Sequence, residues 1–176
     1  MNWKIYKLSY SIILMLFTSL LFGCGVYSFT GVAITAETIS IQTFYNDAEG
    51  GPPDLSQTFT NNMRDYFQQN TNLTLVKEDG QLQLEGAVTG YRLTPVAATA
   101  GRNNESGQSA LTRLTITVKA SYVNTTDDAF NFESKNFSFY SDYDSDQNLT
   151  TVESQLIEEI YEQIILDIFN ASVANW

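Results

Sequence analysis

The chain has no histidine among its 176 residues and one cysteine, Cys24. The commonest general base and metal ligand is therefore missing, and an internal disulfide cannot form. Positive charge is scarce too. Nine Lys and Arg stand against 20 Asp and Glu, a net charge of −11, which argues against a nucleic-acid partner because phosphates need a basic surface. No phosphate loop is present, since the glycines of Glu49–Pro53 lack a neighbouring Lys and a strand–loop–helix setting. Carboxylate pairs such as Asp127–Asp128 and Glu158–Glu159 read as solvated surface rather than as a glycosidase pair. These absences point away from an enzyme and away from a cofactor.

What is present suits a folded domain. Apolar residues make up 43% of the chain and aromatics 13%, enough for a real core at this length. The first residues differ from the rest. Lys4 and Lys7 precede an almost wholly apolar run from Leu8 to Phe22, the pattern of a secretory signal peptide, with an uncleaved anchor as the competing reading. Leu21, Phe22 and Gly23 then lead into Cys24, which resembles a bacterial lipobox. On that reading residues 1–23 are removed and Cys24 is lipidated, its acyl chains supplying the membrane anchor and no other cofactor being needed. Removal of Lys4 and Lys7 leaves 7 basic residues against 20 acidic. Gly25 follows the cysteine and no acidic residue stands close, so the expected location is the periplasmic side of the outer membrane.

Residues 24–37 read as a tether and 38–176 as a single domain. Thr38–Phe44 alternates as a strand, and the glycines and prolines near residue 51 make a loop. Asp54 is placed to cap a helix over Leu55–Gln69, where Leu55, Phe59, Met63, Tyr66 and Phe67 recur at helical spacing. Leu73–Val76 reads as a short strand joined to the next by a hairpin with Asp79–Gly80 at its tip. The strand from Leu82 carries Gly86 and Gly90, which permit a bulge. Ala98–Ala110 is a polar loop that includes Arg102, Asn103 and Asn104, candidates for facing a partner. Leu114, Ile116, Val118, Ala120 and Tyr122 alternate with Arg113, Thr115, Thr117 and Lys119, a two-faced strand. The phenylalanines from Phe130 to Phe139 change parity, which a bulge near Ser134–Asn136 reconciles. Val152, Leu156, Ile160, Ile164 and Ile168 mark a last amphipathic helix, with Thr150 and Glu153 as a capping box. The order β-α-β-β-β-β-α predicts an α/β two-layer sandwich, a mixed sheet with both helices on one face.

The stretch from Asp142 to Glu153 resembles a calcium loop: Asp142, Asp144, Asp146 and Glu153 occupy positions 1, 3, 5 and 12 of that motif. Gln147 stands where the motif needs Gly, and the capping box also claims Glu153, so a solvated turn before a capped helix competes with a metal site.

The segments "CGVYSFTG" at Cys24, "TISIQTF", "LSQTFT", "LTRLTITVK", "FSFYSDYDSDQNL" and "IEEIYEQIILDIFNASVANW" resemble, in order, a divergent branch of the LPS-assembly lipoprotein family, LptE. The resemblance implies an outer-membrane lipoprotein that plugs a large β-barrel of the LptD type and with it inserts lipopolysaccharide into the outer leaflet. It also implies contacts from basic residues to lipopolysaccharide, for which Arg113, Lys119 and Arg92 are the candidates here. The acidic balance favours plugging over direct lipid binding. A polar, hydrogen-bonding exterior suits a water-filled barrel lumen. The competing expectation is a stand-alone lipoprotein with an apolar pocket for a soluble ligand.

Overall fold

The computed structural model describes residues 34–96 and 110–173. The expected signal peptide, Cys24, most of the expected tether, and Arg102, Asn103 and Asn104 lie outside the described residues.

Six strands and two helices follow in the order β1 (Thr38–Ile41), β2 (Tyr45–Asn46), α1 (Leu55–Asn70), β3 (Thr74–Val76), β4 (Leu82–Val96), β5 (Leu111–Asn124), β6 (Phe132–Asp144) and α2 (Leu149–Ser172). The sheet order is β3-β1-β4-β5-β6, with β2 also pairing with β4. Pairings among β1, β2, β3 and β4 are parallel, and β4-β5-β6 is an antiparallel meander, so the sheet is mixed. The expected two-layer α/β arrangement is the one found.

Both helices cover one sheet face. Leu55, Phe59, Met63 and Phe67 of α1 recur every four residues and are buried, as are Leu156, Ile160, Ile164 and Ile168 of α2. They meet Ile39, Ile41, Leu82, Leu84 and Val88, and on β5 Leu114, Ile116, Val118 and Ala120. Phe44, Phe59 and Tyr161 form an edge-to-face chain with 5.0 Å between successive centroids, worth roughly 1 kcal/mol per contact beyond area burial. The Tyr161 hydroxyl donates to the Leu55 carbonyl at 2.9 Å, so a buried phenol also ties the helices together.

The expected first strand is split in two. Gln42 and Asp47 still donate to Leu84 and Val88 of β4, but between them the chain swings out and buries Phe44. The Phe44 amide then bonds to Thr60 Oγ1 at 3.0 Å, and Arg64 donates to the Ile41 carbonyl. Gly86 makes room for this kink. A Cβ there would strike the Lys119 carbonyl and the Phe44 ring.

Asp79–Gly80 is not a hairpin tip. β3 and β4 do not pair, because β1 lies between them and runs parallel to both. The five residues 77–81 suffice for the crossover because both strands are short where they meet β1. The link passes directly over Ser40, burying it, and a Cβ on Gly80 would strike the β1 backbone. Asp79 takes φ 56° to make the turn.

The bulges fall where the sequence allowed them. β4 shifts register between Val88 and Gly90, and β5-β6 shifts between Ala120 and Tyr122, opposite Ser134 at φ 51°. The second shift carries Phe132 and Phe137 onto the core face together.

Candidate functional site

On the sheet face turned away from the helices, the crossover passes over Ser40. The residues of this face are set by the pairing register. Arg92, Thr94, Arg113, Thr115, Thr117 and Lys119 share that face with Ser138, Tyr140 and Asp142 of β6. The bulge at Gly90 decides this for Arg92. Without it, strand alternation would have turned Arg92 toward the helices.

The three candidate phosphate contacts are not equivalent. Arg92 sits opposite Thr115, diagonal to Arg113, whereas Lys119 is four residues along β5, roughly 13 Å away at the strand rise. Arg113 is engaged. Its Nε and one terminal nitrogen donate to both oxygens of Asp142 at 2.7 and 2.8 Å, and its guanidinium lies 3.5 Å over the Tyr140 ring. The hydrogen bond to Asp142 raises the Arg113 pKa, and the same bond holds the Asp142 carboxyl below the usual carboxylate range. Arg92 and Lys119 make no side-chain hydrogen bond or ion pair to another described residue.

The four acidic residues of the calcium-like stretch are not brought together. Asp142 faces Arg113, and Glu153 accepts the Tyr91 hydroxyl at 2.5 Å. Asp144 ends β6, and its carbonyl accepts from Gln147 in the turn. Among the described residues, no three His, Cys, Asp or Glu side chains are grouped to hold a metal ion.

Glu153 also departs from its expected helix role. The cap of α2 is Asn148, whose Oδ1 accepts from the Thr150 amide at 3.1 Å and the Thr150 hydroxyl at 2.8 Å. Thr150 therefore lies inside the helix, Glu153 stands too far along to close a box with Asn148, and its carboxylate turns to β4 instead. Asp54 precedes α1 but makes no side-chain cap. Burial, reinforced by the bond to Glu153, pushes the Tyr91 phenol well above its ordinary range.

A model of the family described as LptE, lipopolysaccharide-assembly, matches residues 36–172. The chain belongs to the LptE family. No curated protein matches it by sequence. Among solved structures it is similar to a PelC dodecamer subunit from Paraburkholderia phytofirmans, at 11% identity and TM-score 0.47, covering 81% of this chain and 94% of that one. It is also similar to the hypothetical protein CT253 from Chlamydia trachomatis, at 7% identity and TM-score 0.49, covering 77% and 97%. A minor lipoprotein from Acinetobacter baumannii is 13% identical at TM-score 0.42, covering 76% and 89%.

In this LptE-family chain, then, the helices fill one side of the sheet and the other side presents hydroxyls and a few charges. Sequence reasoning found the face of Arg113 and Lys119. It missed Asp142 as the partner of Arg113, and it missed Asp47 and Glu49, which stand beside Arg92. The first needs the β5-β6 register, and the second needs the path of the β2-α1 loop. No helix among the described residues is long and apolar enough to cross a membrane.

Proposed function

We propose that this chain is an outer-membrane lipoprotein, held through lipid on Cys24 with its domain on the periplasmic side, that plugs a barrel of the LptD type. With that barrel it inserts lipopolysaccharide into the outer leaflet. The observation that carries the reading is the family match across nearly the whole described domain. The polar open face supports it. A barrel lumen is lined by polar groups and water, and a hydroxyl-bearing sheet can exchange hydrogen bonds with such a wall. On this reading the chain binds and assembles rather than catalyses. The concavities beside Arg92, beside Asp142 and beside Ser40 are lined mainly by polar side chains, which favours the plug over a carrier of an apolar soluble ligand.

Lys119 is the proposed contact for lipopolysaccharide phosphates, since Asp142 already neutralises Arg113 and the carboxylates of Asp47 and Glu49 share the concavity of Arg92. Arg102, Asn103 and Asn104 are proposed to face the barrel. The deciding test is a pull-down of the tagged full-length lipoprotein from detergent-solubilised outer membranes at native expression. One stoichiometric partner of barrel size is expected. Recovery of the protein alone, from membranes that contain the barrel, overturns the reading.

A further inference from the structure

Where β4 bends, the open face carries a groove of about 660 Å³. Its floor is the bulge at Gly90, where the strand has no side chain. A Cβ there would come within 3.2 Å of Thr117. Thr115 and Thr117 line one side, Arg92 and Thr94 another, and Asp47 and Glu49 reach in from the β2-α1 loop.

The loop is held in place. Gly50 and Gly51 take φ values of 98° and 79°, and Gly51 packs so closely on the Tyr91 ring that a Cβ would collide with it. Tyr91 is pinned in turn by Glu153 on α2. The position of Asp47 and Glu49 is thereby tied to the helix layer, so the groove is organised before any ligand arrives. Thr89, Tyr91 and Thr117 spend their hydroxyls inside the protein, but five other lining side chains are unspent. Asp47, Glu49, Arg92, Thr94 and Thr115 make no side-chain hydrogen bond or ion pair to another described residue.

The chemistry narrows the ligand. Tyr91 is the one aromatic among the described residues of the wall, and the hydroxyls and charges around it offer no slot for an acyl chain. Two carboxylates against one guanidinium leave the groove negative, which opposes a phosphate or an acidic sugar. The lining suits an uncharged ligand rich in hydroxyls. Carboxylates accept from such groups, a guanidinium and threonines donate, and a bare glycine lets a ring lie on the strand. The volume falls in the range of small-ligand sites.

We propose that this groove binds a neutral oligosaccharide, held by Asp47 and Glu49 as acceptors and by Arg92 and the threonines as donors. The site stands apart from the barrel reading. Only the assignment of the glycan to lipopolysaccharide rests on it, the other source being an N-acetylglucosamine glycan of the cell-wall type.

The test is calorimetric titration of the full-length lipoprotein in detergent with two probes. One is core oligosaccharide released from lipopolysaccharide, lipid-free, dephosphorylated and with its acidic sugar carboxyl-reduced so that it is neutral, and the other is chitotriose. Saturable binding of either probe is expected, and which one binds identifies the source. The double variant Asp47→Asn, Glu49→Gln and the single variant Thr115→Val should each weaken that binding at least about tenfold, the loss of one good hydrogen-bonding contact set, while Glu158→Gln on the outer face of α2 leaves it unchanged. Circular dichroism melts check that the variants fold. Absence of saturable binding of both probes at millimolar concentration overturns the proposal. So does binding that survives both groove variants, or tighter binding of the phosphorylated core than of the dephosphorylated one. The barrel pull-down is run on the same variants. Lost saccharide binding with a retained barrel shows the two functions to be separate, and a lost barrel with intact saccharide binding leaves the groove standing.

Discussion

Arg113 commits two of its five donors to Asp142 and its flat face to Tyr140, so its charge is spent inside the protein. Its outward direction was legible from the alternation of β5. Its partner was not, because Asp142 is 29 residues away and reaches it only through the β5-β6 register. The same holds for the phenols, whose burial depends on what packs over them. Burial raises the pKa of Tyr91 and of Tyr161 far above the ordinary phenol value and that of Tyr122 to about 12. Above about pH 10 the unfolded chain loses phenol protons that the folded chain keeps, so it binds fewer protons and is favoured as pH rises. The stability these groups contribute is complete below that pH and is lost above it. The urea midpoint should therefore fall between about pH 9 and about pH 11, and Tyr161→Phe should show a shallower fall. An identical pH slope in wild type and Tyr161→Phe would count against this account.

At the scale of elements, β5 and α2 were the most legible, because each runs long enough for its period to stand out from local noise. The kink between β1 and β2 was hidden. Its causes are Thr60, Arg64 and Gly86, which lie on two other elements. The start of α2 was misread for a different reason. Thr150 and Glu153 have capping-box spacing, but Asn148 caps a helix at least as well as Thr150, and only the hydrogen bonds it accepts separate the two. Asn148→Ala should cost about 1 kcal/mol of stability in denaturant unfolding. Glu153→Gln should leave the helix end intact and loosen the β2-α1 loop against Tyr91, read as faster amide exchange at residues 49–51. Gly86→Ala should cost more than the cap, roughly 1–3 kcal/mol from overpacking against Phe44 and the β5 backbone. A cost below that of Asn148→Ala would show that Phe44 can yield.

For the whole molecule, the two-layer packing and, apart from the split of the first strand, the element order were readable from periodicity and turn residues. The order of strands in the sheet was not, since parallel neighbours leave no local mark. That order has a consequence for the path of folding. The first strand in the chain becomes an interior strand, threaded between β3 and β4 beneath the five-residue crossover at Gly80. By contrast, β4, β5, β6 and α2 follow one another as meander and helix, and each packs against a neighbour in that order. Local contacts close at lower entropic cost than distant ones, so that run should assemble first. β3 bonds to the sheet only through β1 among the described residues and must wait for it. In pulsed hydrogen exchange during refolding, amides of β4 and β5 should gain protection before those of Thr38–Ile41 and Thr74–Val76. Simultaneous protection would refute the sequence of events. If it holds, the N-terminal strand of the domain is the last to lock, and under the proposed lipid anchoring at Cys24 a newly exported molecule would still have that strand free to thread into place.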